Sequence, residues 1–328
     1  MGFDLDTYRP RILDILHTHR DVLPLRGSLA EVEITTLGIG ESNLMLHIAL
    51  EGQAPLTMRL AYRADLADRL LPREFRLLQR LPENLGPRAF VLDMSRAVLP
   101  YPFAILSFVP GTPLVDCSEE ILRIHARKIA RLHQDEASTW TTGDGEQSSE
   151  PFDLYQRFLR KVAFWRAEEP RIFEEEPRCQ LLPRLDAYFR ERNHLFTALT
   201  CFQLVHHDLC ASNILVHEGD VCYIDWEYGC YGDGAVDFAQ MAWDMDNPPW
   251  HIKLDEWQLN VLFQTYLELR PDPTLIERYK VWCVYIKFFD HLGHRGTALY
   301  PNAIQSFPGS YYERASQRLL TSLVNQFL

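Results

Sequence analysis

The spacing of apolar and polar positions divides the chain into a strand-rich opening part and a helix-rich remainder. Tyr8 to Leu16 repeats its apolar residues at helical spacing and predicts a short leading helix, followed by a loop through Pro24 and Gly27. Val32 to Leu37 and Leu44 to Leu50 read as strands around the turn Gly38, Ile39, Gly40, Glu41, Ser42 and Asn43, and Leu56 to Ala61 reads as the next strand. A helix follows, opened by Pro72, which suits a first turn where a missing N–H costs nothing. On that helix Glu74 shares a face with Leu77, Leu78 and Leu81, so its carboxylate points towards the packed side, where it needs a partner. Phe103 to Phe108 is a strand running into Val109, Pro110 and Gly111. Asp116 and Glu119 form a capping box for a helix with Leu122, Ala126, Ile129 and Ala130 on one face.

Thr141 to Glu150 has the composition of a mobile loop, and the pattern is then helical to about Thr200. Glu168, Glu169, Glu174, Glu175 and Glu176 read as a solvated helix end. Ile214 to Val216 and Val221 to Ile224 are short apolar strands around the polar turn His217, Glu218, Gly219 and Asp220, which predicts a hairpin. Beyond Asp237, the residues Trp243, Trp250, Trp257 and Trp282 and the run Val281 to Phe289 predict a buried helical tail. No internal repeat is present.

The chemistry concentrates on that hairpin. Pairing Val216 with Val221 sets Asn213 nearly opposite Asp225 at the open end, with Asp208 on the entering loop, so three oxygen-bearing side chains converge. Oxygen ligands of this kind suit Mg²⁺ shared with substrate phosphates. Any one of these residues alone is an ordinary turn former or helix cap; the joint spacing is what points to a phosphate and metal site. His206, His207 and Cys210 offer a zinc reading, but four ligands at closed spacing are needed and no second Cys/His pair is in register.

His206, His207, Asp208 and Asn213 follow the kinase catalytic-loop spacing, and Asp225 takes the place of the metal-binding aspartate. With Ile224, Asp225 and Trp226, and with Gly232 to Ala239, the run resembles the aminoglycoside phosphotransferase and choline kinase-like group, relatives of the protein kinases; Gly234 stands where that group usually has proline. The resemblance implies an α+β, two-lobed protein-kinase-like fold, with a small antiparallel-sheet nucleotide-binding lobe over residues 1–108 and a mainly helical catalytic and substrate-binding lobe over 109–328. It implies Asp208 as the base for a substrate hydroxyl, Asn213 and Asp225 as Mg²⁺ ligands, and the loop of Gly40, Ser42 and Asn43 with Arg59 as phosphate contacts. Arg59 stands where the family has lysine, and its pairing with Glu74 would match the strand-lysine to helix-glutamate ion pair of the kinase fold. The Ser107 carbonyl and Val109 N–H would receive adenine at the hinge, the His206 ring would bond the loop backbone, and Asp237 would brace the loop. His207 fills a slot where the aminoglycoside enzymes usually have glycine, which places a bulky group facing the phosphate region.

At 328 residues the chain is long enough for two lobes, and its 47% apolar content is that of a folded protein. A net charge of −12 argues against nucleic acid and anionic membrane as partners and in favour of a cationic substrate. The acids Glu227, Asp233, Asp237, Asp244 and Asp246, close after Asp225, point the same way. The seven cysteines form no C-x-x-C pair, which suggests a reducing cytoplasm. The N-terminus lacks a basic region and an apolar core, so no signal peptide is expected; Asp6 occupies the position where a myristoylation motif needs Ser or Thr. The longest apolar run, Ala97 to Pro110, is broken by prolines and too short for a membrane span. The expected activity is ATP-dependent phosphoryl transfer to the hydroxyl of a small molecule, plausibly an amine-bearing one. Alternatives are a kinase for a neutral sugar or nucleoside and a nucleotide-binding regulator with little transfer. A protein kinase is disfavoured because no Ala-Pro-Glu segment follows Asp225.

Overall fold

A computed structural model describes residues 4–40, 43–115, 117–142, 145–299 and 307–328. Helix α1 (Leu5–Thr18) is capped by the Asp4 carboxylate and buries Ile12, Ile15 and Leu16. These join a core formed with the antiparallel sheet of β1 (Glu33–Ile39), β2 (Asn43–Ala49) and β3 (Leu56–Ala61). Helix α2 (Ala64–Leu78), β4 (Ala89–Asp93) and β5 (Phe103–Ser107) follow, and the sheet order is β1-β2-β3-β5-β4. Every residue of β3 is buried, including Thr57 and Arg59. Alternation sends Leu56, Met58 and Leu60 to the core shared with α1, and turns Thr57, Arg59 and Ala61 to the other face of the sheet.

Pro72 does not open α2 but lies within it. The carbonyl that its N–H would have bonded belongs to Asp68, an exposed residue on the outer side of the helix. Ala67, Leu71, Phe75 and Leu78 of α2 pack with the large helical core rather than with the core of the sheet.

From β5 the chain crosses through residues 108–111 into β6 (Thr112–Pro113), which pairs with the hairpin strand β11 described below. Gly111 has φ +128°, and a Cβ there would lie 2.7 Å from the Val216 carbonyl oxygen. Helix α3 (Glu119–Leu132) has Ser118 at its N-cap; Asp116, expected in a capping box, lies outside the described residues.

Strands β7 (Glu136–Ala137), β8 (Trp140–Thr141) and β9 (Gln147–Ser148) come next. The pairing of β8 with β9 corrects the expectation of a plain loop over 141–150: the Trp140 indole donates to the Glu150 carbonyl and its ring meets Phe152 edge-on, so one aromatic anchors a polar stretch. Helices α4 (Leu154–Glu168), α5 (Arg178–Arg192) and α6 (His194–Thr197) lead to β10 (Phe202–Val205). The acidic cluster does fall at the end of α4, but Glu169 pairs with Arg295 and Glu175 with Arg178.

The remaining elements are β11 (Ile214–His217), β12 (Asp220–Tyr223), β13 (Cys230–Gly232), α7 (Ala235–Met241), β14 (Ala242–Trp243), β15 (Ile252–Lys253), α8 (Glu256–Leu269), α9 (Leu275–Leu299) and α10 (Gly309–Phe327). Trp243, Trp282 and most of Val281 to Phe289 are buried as expected, whereas Trp257, at the start of α8, is 53% exposed. Among the described residues no helix is long and apolar enough to cross a membrane. The two-lobed α+β architecture is therefore present, with α2 contributing to the helical core.

Candidate active site

The hairpin closes on Glu218 and Gly219, whose φ values of 49° and 79° are those of a two-residue mirror-type turn. Val216 pairs with Val221 as expected, and His217 and Asp220 join the ladder instead of staying in the turn. This register sets Asn213 beside Ile224, whose N–H donates to the Asn213 carbonyl at 3.0 Å. Asp225 is the next residue, with φ 66°, in the left-handed region that a non-glycine residue rarely adopts. The backbone turns there, immediately beyond the ladder.

Asp208 is half-buried on the loop after β10. The Asn213 side-chain amide donates to the Asp208 carbonyl at 2.8 Å and to its carboxylate at 3.2 Å. The Asp237 carboxylate, fully buried on α7, accepts the backbone N–H groups of His206 and His207 at 3.0 and 2.9 Å and lies 3.2 Å from the His133 ring. The His206 Nε2–H donates to the Ile224 carbonyl at 2.9 Å, and its Nδ1 accepts from the Asp208 N–H at 3.3 Å. The catalytic loop is thus pinned to α7 and to the hairpin. Cys210 contacts the Ser212 hydroxyl, so two of the three donors of the zinc reading, His206 and Cys210, are already engaged. Burial, and then the charges of Asp225, Glu227 and Asp290, hold the Asp208 carboxyl well above the usual carboxylate range.

Arg59 meets three carboxylates at once. Its guanidinium donates to Glu74 at 2.6 Å, to Asp225 at 2.7 Å and to Glu227 at 2.8 Å, with only 4% of the side chain exposed. Glu74 also accepts the Trp226 N–H at 3.1 Å. Burial works against the charge on Arg59, but the three acids overcome it and raise its pKa. Burial raises Glu74; Arg59 opposes this, Asp225 and Glu227 add to it, and the result is a pKa of about 7.

The expected Arg59–Glu74 pair is therefore present, but the arginine fork is committed to carboxylates rather than left open for phosphate oxygens. Glu227 was placed only in a count of acids on the basis of sequence. Its pairing with Arg59 spans 168 residues and leaves no local signal.

On the nucleotide side, Asn43 lines one recess with Arg59, Glu74 and Glu227. Gly40 donates its N–H to the Asn43 carbonyl at 2.8 Å, which tightens the β1–β2 turn; Ser42 lies outside the described residues. Ser107 is tied to Arg88 through both its N–H and its hydroxyl, at 2.8 Å each, and the Phe108 N–H bonds the Pro55 carbonyl at 3.1 Å. Val109 follows, partly exposed, where the chain leaves the sheet.

His207 packs towards the helical part. Its φ of 65° suits the glycine of related enzymes, and its ring lies 6.4 Å from the Trp282 ring of α9. Burial, then Arg157 and more weakly Lys161, lower its pKa to about 4.

The acids counted after Asp225 in favour of a cationic substrate are all engaged. Glu227 bonds Arg59, Asp233 bonds Arg278 and the Trp282 indole, Asp237 braces the loop, Asp244 pairs with Lys287, and Asp246 accepts the Lys253 N–H. The carboxylate that does act on Asp208 from the helical side is Asp290 of α9, which sequence spacing did not reveal.

A loop bearing Asp208 and Asn213, a hairpin-end Asp225 and a strand cation paired with a helix glutamate define a phosphoryl-transfer enzyme of the kinase type. The model of the phosphotransferase enzyme family matches residues 33–274, and the chain belongs to that family as a small-molecule phosphotransferase with a hydroxyl acceptor. Among solved structures it is similar to a macrolide 2′-phosphotransferase from Brachybacterium faecium, with 19% identity, TM-score 0.62 and coverage of 94% of this chain and 97% of that one. It is also similar to choline kinase from Cryptosporidium parvum Iowa II, with 14% identity, TM-score 0.57 and 97% of each chain covered. A ternary complex of an aminoglycoside phosphotransferase with streptomycin and ATP aligns at 13% identity and TM-score 0.57, over 88% of this chain and 90% of that one. At such identities the likeness is one of fold. No curated protein matches the chain.

Proposed function

We propose that this chain transfers the γ-phosphate of ATP to a hydroxyl of a small, amine-bearing molecule, with residues 1–108 holding the nucleotide and 109–328 the catalytic loop and acceptor. The observation that carries the reading is the Asn213 bond to the Asp208 carboxylate, with Asp225 fixed beside Asn213 by the hairpin register. Asp208 orients the acceptor hydroxyl and takes its proton, a role favoured by a carboxyl held above its usual range. The Asn213 side-chain oxygen and the Asp225 carboxylate fit Mg²⁺, which takes few protein carboxylates and completes its shell with phosphates and water. When bound, Mg²⁺ would neutralise developing phosphate charge. Arg59 positions Asp225 rather than gripping phosphate, while Gly40, Ser42 and Asn43 cover the phosphates and the Ser107–Val109 backbone receives the adenine.

Asp290 supports the amine. Burial raises its pKa to about 6 against the pull of Lys161, so at neutral pH it offers a carboxylate within electrostatic reach of Asp208. The seven free thiols fit a reducing cytoplasm. The test is ADP release with ATP and Mg²⁺ against amino sugars, choline-like amines, amino alcohols and nucleosides. Turnover of an amine-bearing alcohol supports the reading, and turnover confined to neutral sugars or nucleosides removes the amine from it.

A further inference from the structure

A second concavity lies in the helical part. Asp244 and Met245, just beyond β14, face α10 across an open groove of about 850 Å³, a volume in the range of small-molecule sites. From α10 the groove takes Arg314, Gln317, Arg318, Thr321 and Asn325, whose spacing sets them on one face of the helix. No residue of the catalytic loop, and none of the recess beside Arg59, lines it, so it is a site apart from the one described above.

The groove is positive in a chain whose net charge is −12. Its only acid, Asp244, is paired with Lys287 of α9. Arg278 and Arg295 of α9 each meet an acid as well. Arg314 and Arg318, by contrast, have no carboxylate within ion-pair distance among the described residues, although they stand one helical turn apart, where like charges oppose helix formation. Arg318 is fixed in place. Its Nη2–H donates to the side-chain oxygen of the fully buried Asn247 at 3.2 Å, while its Nε–H, also buried, has no acceptor among the described residues, a costly condition for a charged donor. Asn247 exchanges backbone hydrogen bonds with His251 at 3.0 Å each and accepts the Trp250 N–H at 3.1 Å, and the Trp250 carbonyl accepts the Ala211 N–H at 2.7 Å. The guanidinium is thus tied to the turn that supports the catalytic loop.

We propose that this groove binds a phosphomonoester, with Arg314 and Arg318 clamping the phosphate and Gln317, Thr321 and Asn325 offering hydrogen bonds to hydroxyls on the rest of the molecule. Two guanidiniums match the nearly double negative charge of a phosphomonoester at neutral pH, whereas a carboxylate would cancel only one of them. Their planar forks suit phosphate oxygens. The volume far exceeds that of one inorganic ion, which leaves room for an organic part. Because Asn247 already holds Arg318, less side-chain freedom is lost when the ligand binds. The site goes beyond the phosphoryl transfer assigned to Asp208 and does not depend on it.

The test is calorimetric titration of the full chain with glucose 6-phosphate, glycerol 3-phosphate and O-phosphoserine, with glucose, gluconate and inorganic phosphate as controls. Each titration is run without nucleotide and again with saturating ADP and Mg²⁺. At least one ester should bind under both conditions with a Kd about tenfold or more below those of all three controls, and added salt should weaken it. R314Q and R318Q should each raise that Kd about tenfold or more, as expected for the loss of a charge-assisted contact, while changing the Kd of ADP less than about twofold. R318K should keep more affinity than R318Q. Arg314 is exposed, so R314Q probes the groove even if R318Q disturbs the fold through Asn247. Binding that survives R314Q overturns the proposal, as does the absence of binding by all three esters. Equal binding of gluconate or inorganic phosphate overturns the choice of a phosphomonoester, and binding seen only without ADP places the ester in the nucleotide site and overturns the groove.

Discussion

The Arg59 guanidinium donates to the Asp225 carboxylate at 2.7 Å across 166 residues of chain, tying the strand cation to the residue assigned to the metal. The same guanidinium also donates to Glu74 and Glu227, while its Nε has no partner among the described residues. Arg59 therefore acts as a keystone between the sheet, α2 and the end of the hairpin. Arg59→Gln should destabilise the fold by about 3–5 kcal/mol, the usual effect of leaving buried charges without their partner. Arg59→Lys keeps the charge but loses the fork and should cost about 1–3 kcal/mol. Urea unfolding measures both, and a wild-type midpoint for Arg59→Gln would contradict the keystone role.

Asp225→Ala should make nucleotide binding insensitive to Mg²⁺, because Asp225 supplies the one carboxylate assigned to the ion. Calorimetry of ATP binding with and without Mg²⁺ checks this. Wild-type protein that binds ATP equally in both conditions would remove Asn213 and Asp225 from the metal site.

Glu74 gives a pH dependence with a definite sign. Its pKa in the folded protein, about 7, lies above the ordinary value of 4.5, so the folded state holds the proton more tightly than the unfolded one. Its contribution to stability is complete below pH 4.5 and is lost as pH rises through about 7. Glu74→Gln mimics the protonated form and should gain stability relative to the wild type over that window. A difference between the two that stays constant from pH 4.5 to 8 would place the Glu74 proton elsewhere.

Gly111→Ala should destabilise the crossing between β5 and β6 by about 1–3 kcal/mol. The backbone there has φ +128° and a Cβ would meet the Val216 carbonyl, which is held in the hairpin ladder and is not free to yield. Thermal unfolding of the variant is the measurement; an unchanged midpoint would mean that this segment can move away from the hairpin.

Local chemistry explains what was legible in the sequence. The Val216–Val221 register, the β3 strand and the inward face of Glu74 follow from alternation and helical spacing, and the structure contains each of them. The convergence of Asp208 and Asn213 follows from motif spacing and the brace by Asp237 from the family resemblance, and the structure contains both. What was not legible depends on long-range partners. Nothing near Glu227 reveals Arg59, nothing near Asp233 reveals Arg278, and nothing near Asp208 reveals Asp290 on α9, so counting acids suggested free charge where ion pairs are found. Pro72 was misplaced because a proline is usual in a first turn, whereas here the helix begins eight residues earlier, at Ala64.

The central claim, that Asp208 is the base of a phosphoryl transfer to a hydroxyl, is tested most directly by following γ-labelled phosphate from ATP to the acceptor with wild-type protein and with Asp208→Asn. The substitution keeps the shape of the side chain and removes its basicity. Transfer should fall by roughly 10² to 10⁴ while ATP affinity is retained. In the wild type, kcat/KM should fall on acidification at a pH well above the ordinary carboxylate range, because Asp208 must be ionised to act and its pKa is raised. Wild-type transfer by Asp208→Asn, with the same acid limb, would contradict the account.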